Sequence, residues 1–171
     1  YKDENLPGNE LAKKIEDNLS IPNILADNAS LWDGGFVICG IVGSGDMFAI
    51  RDKNGIRPAF YYQDDEIVVV ASERPVIQTV MNVTVDQVKE LKPGTAIVVT
   101  KNGEVKFDDI LGEGVNQRCS FERIYFSRGS DCDIYQERKR LGANVAANVM
   151  HAVDNDLDNT VLSFIPNTAE V

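Results

Sequence analysis

Short apolar segments separated by turn-forming residues fill much of the first two thirds of the chain, and this alternation is its strongest constraint on folding. The segments are 35–42, 47–51, 59–62, 67–72, 95–100 and 105–107. Their length and β-rich composition are typical of strands, and Asn54-Gly55 and Asn102-Gly103 are typical of tight turns. The pattern predicts antiparallel hairpins, with a type I′ turn at Asn102-Gly103.

Segment 35–42 is an almost continuous apolar run. It predicts a strand buried on both faces, with Cys39 as a small core residue. The glycines at 40, 43 and 45 also resemble a phosphate-binding loop, but such a loop must open a helix. Because 47–50 has the composition of a strand, a hairpin is the favoured interpretation.

Helical periodicity predicts helices at 7–18, 73–81 and 133–153, with a further short helical piece around 24–32. Residues 112–118 are polar and glycine-rich without periodicity, so they are interpreted as a linker. Beyond the linker, 121–126 and 161–165 have the composition of strands on either side of the long helix. This order predicts the start of a parallel βαβ unit.

Charge and composition exclude several classes of function. The 171 residues carry a formal net charge of −10, which disfavours nucleic acid and anionic membranes as partners. No apolar run approaches the roughly 18 to 20 residues of a membrane-spanning helix. Three widely spaced cysteines do not form a disulfide framework, which favours a reducing, cytoplasmic setting. The single histidine, His151, excludes metal sites that need two.

Few residues are candidates for catalysis on chemistry alone. Cys119 is the better candidate for a functional thiol, whereas Cys132 is flanked by aspartates. His151 is expected to interact with the helix dipole or with Asp154 at the end of the long helix. The acidic pair at 108–109 weakly resembles a ribose-binding pair, but a solvated turn is favoured.

Residues 51–58, Arg-Asp-Lys-Asn-Gly-Ile-Arg-Pro, are the most informative stretch. Asn54-Gly55 supplies a positive φ angle, and Pro58 restricts Arg57 to extended geometry. Arg51 and Asp52 are placed to pair across the turn. These features predict a rigid charged corner between two strands, and a structural role is favoured over a binding site.

Several segments together resemble a known family. Segments 31–36 (Leu-Trp-Asp-Gly-Gly-Phe), 48–52 (Phe-Ala-Ile-Arg-Asp) and Gly55-Ile56-Arg57-Pro58 are similar to the glutaminase domain of glutamine phosphoribosylpyrophosphate amidotransferases. The similarity continues in order at 70–73, 91–94, 119–128, 134–142 and 164–168. The Arg-Asp…Gly-Ile…Pro element also occurs in asparagine synthetases, but the ordered set favours the amidotransferases.

The resemblance implies an α+β chain. Residues 1–111 would form the C-terminal part of a class II glutamine amidotransferase domain, with part of the αββα sandwich of N-terminal nucleophile hydrolases. Residues 112–118 would be the linker. Residues 119–171 would begin a phosphoribosyltransferase-type α/β domain with its first βαβ elements.

The resemblance also implies an activity for the parent enzyme. An N-terminal cysteine releases ammonia from glutamine, with its own α-amine as the general base. The ammonia crosses an internal channel and displaces pyrophosphate from phosphoribosylpyrophosphate with Mg²⁺, which gives phosphoribosylamine in the first step of purine synthesis. Purine nucleotides are the expected regulators, and a cytoplasmic homo-oligomer is the expected assembly.

Little of this machinery is expected within the chain. Position 1 is Tyr1, and residues 1–30 contain no counterpart of the family's glutamine-binding residues. No catalytic residue is therefore assigned, and the chain is expected to be an inactive fragment of the enzyme. An alternative is a non-catalytic paralogue with a regulatory or assembly role, and a weaker one is another amidotransferase such as an asparagine synthetase.

Two positions carry over from the family by resemblance. Tyr135 matches a tyrosine associated with the ammonia passage, or is simply a packed aromatic residue. Cys119 matches an iron–sulfur ligand of some members, but a cluster needs about four thiolates, so no cofactor is expected in this stretch. Ala59, Arg74 and Gly129 depart from the family pattern and indicate a divergent branch.

Overall fold

Two antiparallel sheets form the β-rich part of the computed structural model, which describes residues 6–166 and 169–171. The strands are β1 (Val37–Ile41), β2 (Met47–Arg51), β3 (Phe60–Gln63), β4 (Val68–Ala71), β5 (Lys89–Glu90), β6 (Thr95–Val99) and β7 (Val105–Asp109). The larger sheet has the order β1-β2-β6-β7, and the smaller has the order β4-β3-β5. Tyr1 and positions 167–168 of the last family-like segment lie outside the described residues.

Within the described ranges, four α-helices accompany the sheets. They are α1 (Gly8–Asn18), α2 (Ile21–Asn28), α3 (Arg74–Met81) and α4 (Cys132–Ala152). Ser20 caps α2 through its side chain, and Asp131 caps α4, as expected for polar residues directly before an apolar-periodic segment. Among the helices described for 6–166 and 169–171, none combines the length and apolarity needed to span a bilayer.

The larger sheet is covered on both faces because successive residues of a strand point to opposite sides. Ile50 and Val98 pack on one face against Ile21 and Leu25 of α2. Ile97 packs on the other face in a second cluster, which includes residues of the smaller sheet. The layers are therefore helix, sheet and sheet, and the mixed α+β class predicted from the sequence is confirmed.

The predicted strand at 35–42 is present but is not buried on both faces. Among the described strands β1 pairs only with β2, so it is an edge strand of the larger sheet. Cys39 is exposed and Ile41 is 71% exposed, so the prediction of a buried Cys39 was wrong. An apolar run cannot by itself distinguish an edge strand from a central one, since that depends on the neighbouring strands.

The hairpin at Asn102-Gly103 forms without the predicted type I′ turn. Gly103 has a φ of 84°, but Asn102 is not among the non-glycine residues with positive φ, as a type I′ turn would require. The carbonyl of Thr100 accepts from the Gly103 N–H at 2.8 Å. Asp46 of the neighbouring turn accepts from the Lys101 N–H at 2.7 Å and holds this three-residue loop in place.

The βαβ unit predicted after the linker does not form in the described residues. Glu122–Phe126 is a single π-helical turn rather than a strand, and 161–165 has no strand geometry. A strand needs a neighbour to satisfy its backbone groups, whereas a helical turn satisfies them internally. The long helix α4 does form where the periodicity predicts it, but Leu141 and Val145 of its apolar stripe are exposed at 44% and 53%.

Ile50 and Ile41 offer a matched test of this core, because they are the same residue type on paired strands. Ile50 is fully buried, so Ile50→Ala should lower the free energy of unfolding by about 2–5 kcal/mol. Ile41→Ala should change it by no more than about 0.5 kcal/mol. Urea denaturation of both variants measures the difference, and equal effects would contradict the layer arrangement.

Candidate functional site

A buried side chain with several hydrogen bonds lies at the end of β2. Arg51 is 1% exposed. Its Nε donates to the Arg57 carbonyl at 2.7 Å, and its Nη1 and Nη2 donate to the carbonyls of Leu91 at 2.6 Å and Gly55 at 3.2 Å. Nη1 also binds the Glu90 carboxylate at 2.9 Å. One guanidinium therefore ties β2 to the following turn and to the segment after β5.

Asp52 organises the turn itself. Its carboxylate is buried and accepts from the backbone N–H groups of Asn54 at 3.1 Å, Ile56 at 2.9 Å and Arg57 at 3.1 Å. Gly55 adopts a φ of 63°, as the Asn54-Gly55 pair predicts. The predicted pairing of Arg51 with Asp52 was wrong, because Asp52 binds backbone N–H groups while Arg51 binds backbone carbonyls and the Glu90 carboxylate.

A cleft of about 450 Å³ opens beside this corner. Its walls are the corner, the start of α3 and the segment from Arg118 to Ile134. We call it the junction cleft, and its lining includes Arg57, Pro58, Arg74, Glu122, Arg123 and Ile134. Ile56 and Cys119 also line it, so most of the residues singled out in the sequence meet here.

The predicted linker does not hang free but runs along the corner. Gly114 donates to the Lys53 carbonyl at 2.7 Å and Gln117 to the Asn54 carbonyl at 2.9 Å. Cys119 donates to the Ile56 carbonyl at 3.3 Å. A Cβ at Gly114 would come within 2.3 Å of the Asn54 Oδ1 and 3.1 Å of the Lys53 carbonyl oxygen, so a larger residue would require the Asn54 side chain to move.

Ion pairs cross the junction cleft in several places. They are Arg57–Glu122, Arg118–Glu90 at 2.9 Å, Arg128–Glu73 at 2.8 Å, Arg74–Asp131 at 2.6 Å and Arg74–Asp133 at 2.7 Å. Most of these arginines are about half exposed or more, and pairs of that kind contribute little to stability. Arg74 and Asp131 are the exception, with side chains 16% and 7% exposed.

Asp131 has two functions at once. Its Oδ1 accepts from the N–H groups of Asp133 and Ile134 at the start of α4, while both of its oxygens accept from Arg74. Burial opposes its charged form, but the hydrogen bonds from Arg74 and the Ile134 N–H outweigh this and lower the pKa of Asp131. The same bond raises the pKa of Arg74, so the pair is charged at neutral pH.

Tyr135 lies in the first turn of α4. Its N–H donates to the Asp131 carbonyl at 2.8 Å. Its ring is 41% exposed, and the Lys139 ammonium lies 5.6 Å from the ring centroid. The ring does not line the junction cleft, so its proposed place beside an ammonia passage stays a prediction.

The described residues do not fit an iron–sulfur cluster. Cys119 is half-buried in the wall of the cleft, whereas Cys39 and Cys132 are exposed. In the described part of the chain, the single group of three potential metal ligands is Asp131, Cys132 and Asp133. Both of its carboxylates already bind Arg74, and Cys119 does not belong to it.

Two further sequence candidates lie away from the cleft. The acidic pair does not form the expected solvated turn, because Asp108 and Asp109 belong to β7 and pair with Ala96 and Thr95. His151 is exposed in the last turn of α4, and its carbonyl accepts from the Asp154 N–H.

Sequence reasoning noted Arg74 only as a departure from the family pattern and missed its partner. The capping role of Asp131 could have been predicted, since an aspartate directly before a helical segment is typical of an N-cap. Nothing in the sequence joins the two residues, which are 57 positions apart. The ion pairs across the cleft connect α3 and β5 to the segment that leads into α4, and they favour a fixed arrangement of these segments.

Comparisons with known proteins cover most of the chain. The family model "Glutamine amidotransferases class-II" matches residues 17–124. The amidophosphoribosyltransferase of Lachancea kluyveri is 28% identical in an alignment of 148 positions that covers 80% of this chain and 28% of that protein. The amidophosphoribosyltransferase of Escherichia coli (strain K12) is 30% identical in an alignment of 138 positions that covers 75% of this chain and 26% of that protein. The chain thus spans little more than a quarter of these relatives.

A solved structure has the same fold. It is the glutamine phosphoribosylpyrophosphate amidotransferase from B. subtilis, complexed with ADP and GMP. It superposes with a TM-score of 0.65 at 22% identity and covers 90% of this chain and 32% of its own. At this identity the comparison supports the fold alone.

The two arginines that bind Glu90 test the importance of the buried corner. Arg51→Met should lower the free energy of unfolding by about 3–5 kcal/mol, because it leaves buried carbonyls and part of a carboxylate without a donor. Arg118→Met removes the other partner of Glu90 but should cost less than about 1 kcal/mol, since Arg118 is 47% exposed. Chemical denaturation measures both, and similar costs would contradict the role assigned to Arg51.

The Arg74–Asp131 pair predicts a pH dependence of stability. Because the pKa of Asp131 is lowered in the folded state, its contribution is complete above the ordinary carboxyl pKa and is lost as the pH falls through the folded-state value. Arg74, Asp133 and Arg123 are the charged groups around it. The difference in unfolding free energy between wild type and Asp131→Asn should therefore shrink towards acidic pH. A difference independent of pH would rule out this role for the charge of Asp131.

Proposed function

Because the chain belongs to the class-II glutamine amidotransferase family, we propose that it is part of an enzyme that transfers the amide nitrogen of glutamine to phosphoribosylpyrophosphate. One observation favours phosphoribosylpyrophosphate as the acceptor of the nitrogen. The amidophosphoribosyltransferases align over 138 to 148 residues, which is longer than the segment 17–124 that the family model matches. The similarity therefore continues past the domain that all such amidotransferases share.

The proposal keeps the division of the chain predicted from the sequence, although the family model runs on to residue 124. Residues 1–111 belong to the amidotransferase domain, 112–118 form the linker, and 119–171 begin the transferase domain. The covering of the larger sheet by α2 on one face and by the smaller sheet on the other supports an αββα sandwich of the N-terminal nucleophile hydrolase type. The junction cleft lies between the two parts.

In this proposal the chain supplies a scaffold and a junction. Arg51 and Asp52 fix the corner from which the linker departs, and the paired charges of the cleft hold the start of α4 beside it. Tyr135, in the first turn of α4, is proposed to lie near the path of the ammonia. No residue of the chain is assigned to the chemical steps.

The whole enzyme needs groups beyond those of this chain. Mg²⁺ is proposed to neutralise charge on the pyrophosphate leaving group, and no residue described here is assigned to it. The solved structure of the B. subtilis enzyme contains ADP and GMP, which supports purine nucleotides as regulators. A cytoplasmic homo-oligomer is the proposed assembly.

The test uses the complete gene product that carries this sequence. With glutamine, phosphoribosylpyrophosphate and Mg²⁺, it should form glutamate and pyrophosphate in equal amounts. Replacement of phosphoribosylpyrophosphate by aspartate and ATP is the matched control and should give no asparagine. Asparagine formation would favour the asparagine synthetases, and inactivity with both acceptors would favour a non-catalytic paralogue.

A further inference from the structure

We propose that Arg74 is a positioning residue that holds the first turn of α4 against the amidotransferase domain and thereby couples ammonia release to ammonia transfer. The coupling rests on the proposed function, whereas the positioning rests on the geometry of the pair. Arg74 is the first residue of α3 and lies within the segment 17–124, and Asp131 lies beyond that segment. Their contact therefore joins the family domain to the part that follows it.

The contact has the geometry of a strong, directional pair. The Nε and Nη2 atoms of Arg74 donate to the two oxygens of Asp131 at 2.8 and 2.6 Å. The fork of a guanidinium matches a carboxylate in this bidentate arrangement, which fixes orientation as well as distance. The Arg74 guanidinium also lies over the ring of Phe60 in β3, 6.0 Å from its centroid, so Arg74 packs against the smaller sheet as well.

The partner of Arg74 is itself the cap of α4. The Asp131 carboxylate accepts from Asp133 and Ile134, and its carbonyl accepts from Tyr135, so Asp131 sets the whole first turn. Ile134 is 5% exposed and lines the cleft. A change in the position of Arg74 would therefore move or loosen the turn that carries Tyr135, although Arg74 does not contact Tyr135.

The other junction contacts are poorer candidates for this role. Arg57, Arg118 and Arg128 are exposed at 51%, 47% and 63%, so solvent weakens their pairs. Arg123 also binds α4, through Glu137, but it stands in the helical turn that leads directly into α4. Arg74 alone among these arginines connects the sheets and α3 to the cap of α4.

Ammonia chemistry explains why this geometry bears on coupling. Ammonia is a nucleophile only while it is unprotonated, and in water it is protonated and diffuses away. If glutamine is hydrolysed on one side of the junction and the acceptor lies on the other, transfer depends on how closely the two parts are held. A loosened α4 would leave each half-reaction intact while ammonia escapes between them.

The coupling is tested on the complete gene product with three assays. These are glutamate release from glutamine, glutamine-dependent pyrophosphate release, and pyrophosphate release with ammonium chloride. Arg74→Met should lower the ratio of pyrophosphate to glutamate by at least about fivefold, while the ammonium-dependent rate stays near wild type. Arg74→Lys should be intermediate, because an ammonium keeps the charge but lacks the fork. Arg140→Met, an exposed arginine of α4 outside the cleft lining, should keep the wild-type ratio.

Amide hydrogen exchange tests the positioning independently of activity. Arg74→Met should accelerate exchange at Asp133, Ile134 and Tyr135, while the amides of β2 and β6 keep their protection. Asp131→Asn, which can still cap a helix, serves as the second variant if Arg74→Met does not fold.

Unchanged exchange at the first turn of α4 in Arg74→Met would overturn the positioning role. Faster exchange with a wild-type product ratio would overturn the coupling. Wild-type protein that forms neither glutamate nor pyrophosphate would overturn the proposed function and the coupling with it, and exchange would still decide the positioning role.

Discussion

A buried guanidinium is the constraint on which the rest of this structure depends. Arg51 can leave water only where carbonyls from separate segments surround it, since an unpaired buried charge is very costly. Its acceptors at Gly55, Arg57 and Leu91 come from the turn after β2 and from the chain after β5. Satisfying this one side chain therefore brings both sheets and the corner into a single arrangement. Asp52 completes it by holding the backbone of the turn.

The shape of the junction cleft depends on that corner, because the corner residues form part of its lining. One wall is the corner itself, and the linker is bound to it through backbone hydrogen bonds. The opposite wall is attached by pairs of unequal burial, from the exposed Arg128–Glu73 to the enclosed Arg74–Asp131. We expect the exposed pairs to tolerate substitution, whereas the buried Arg74–Asp131 pair is proposed to fix the orientation of α4. In the proposed arrangement, the cleft lies where the amidotransferase domain meets the segment beyond it.

The sequence was most informative where structure is local. Turn residues placed β2 and the neighbouring hairpins correctly, and periodicity located α4 within a residue at each end. It failed where the outcome depends on distant neighbours. The exposure of Cys39 follows from the edge position of β1, and the helical turn at Glu122–Phe126 follows from the lack of an adjacent strand in the described residues. In the candidate site, 51–58 was recognised as a corner. The sequence did not reveal the distant partners, which lie 40 positions from Arg51 and 57 positions from Arg74.

The linker is held against the corner at fixed positions, beginning with the close approach of Gly114 to Asn54. Its backbone contacts at Gly114, Gln117 and Cys119 advance along the corner in the same direction as the chain it follows. The number of residues between these contacts therefore fixes where the next segment can begin. An inserted or deleted residue would shift the start of everything downstream by one step of the backbone. Length, together with a small residue at Gly114, is then the property that this stretch must keep.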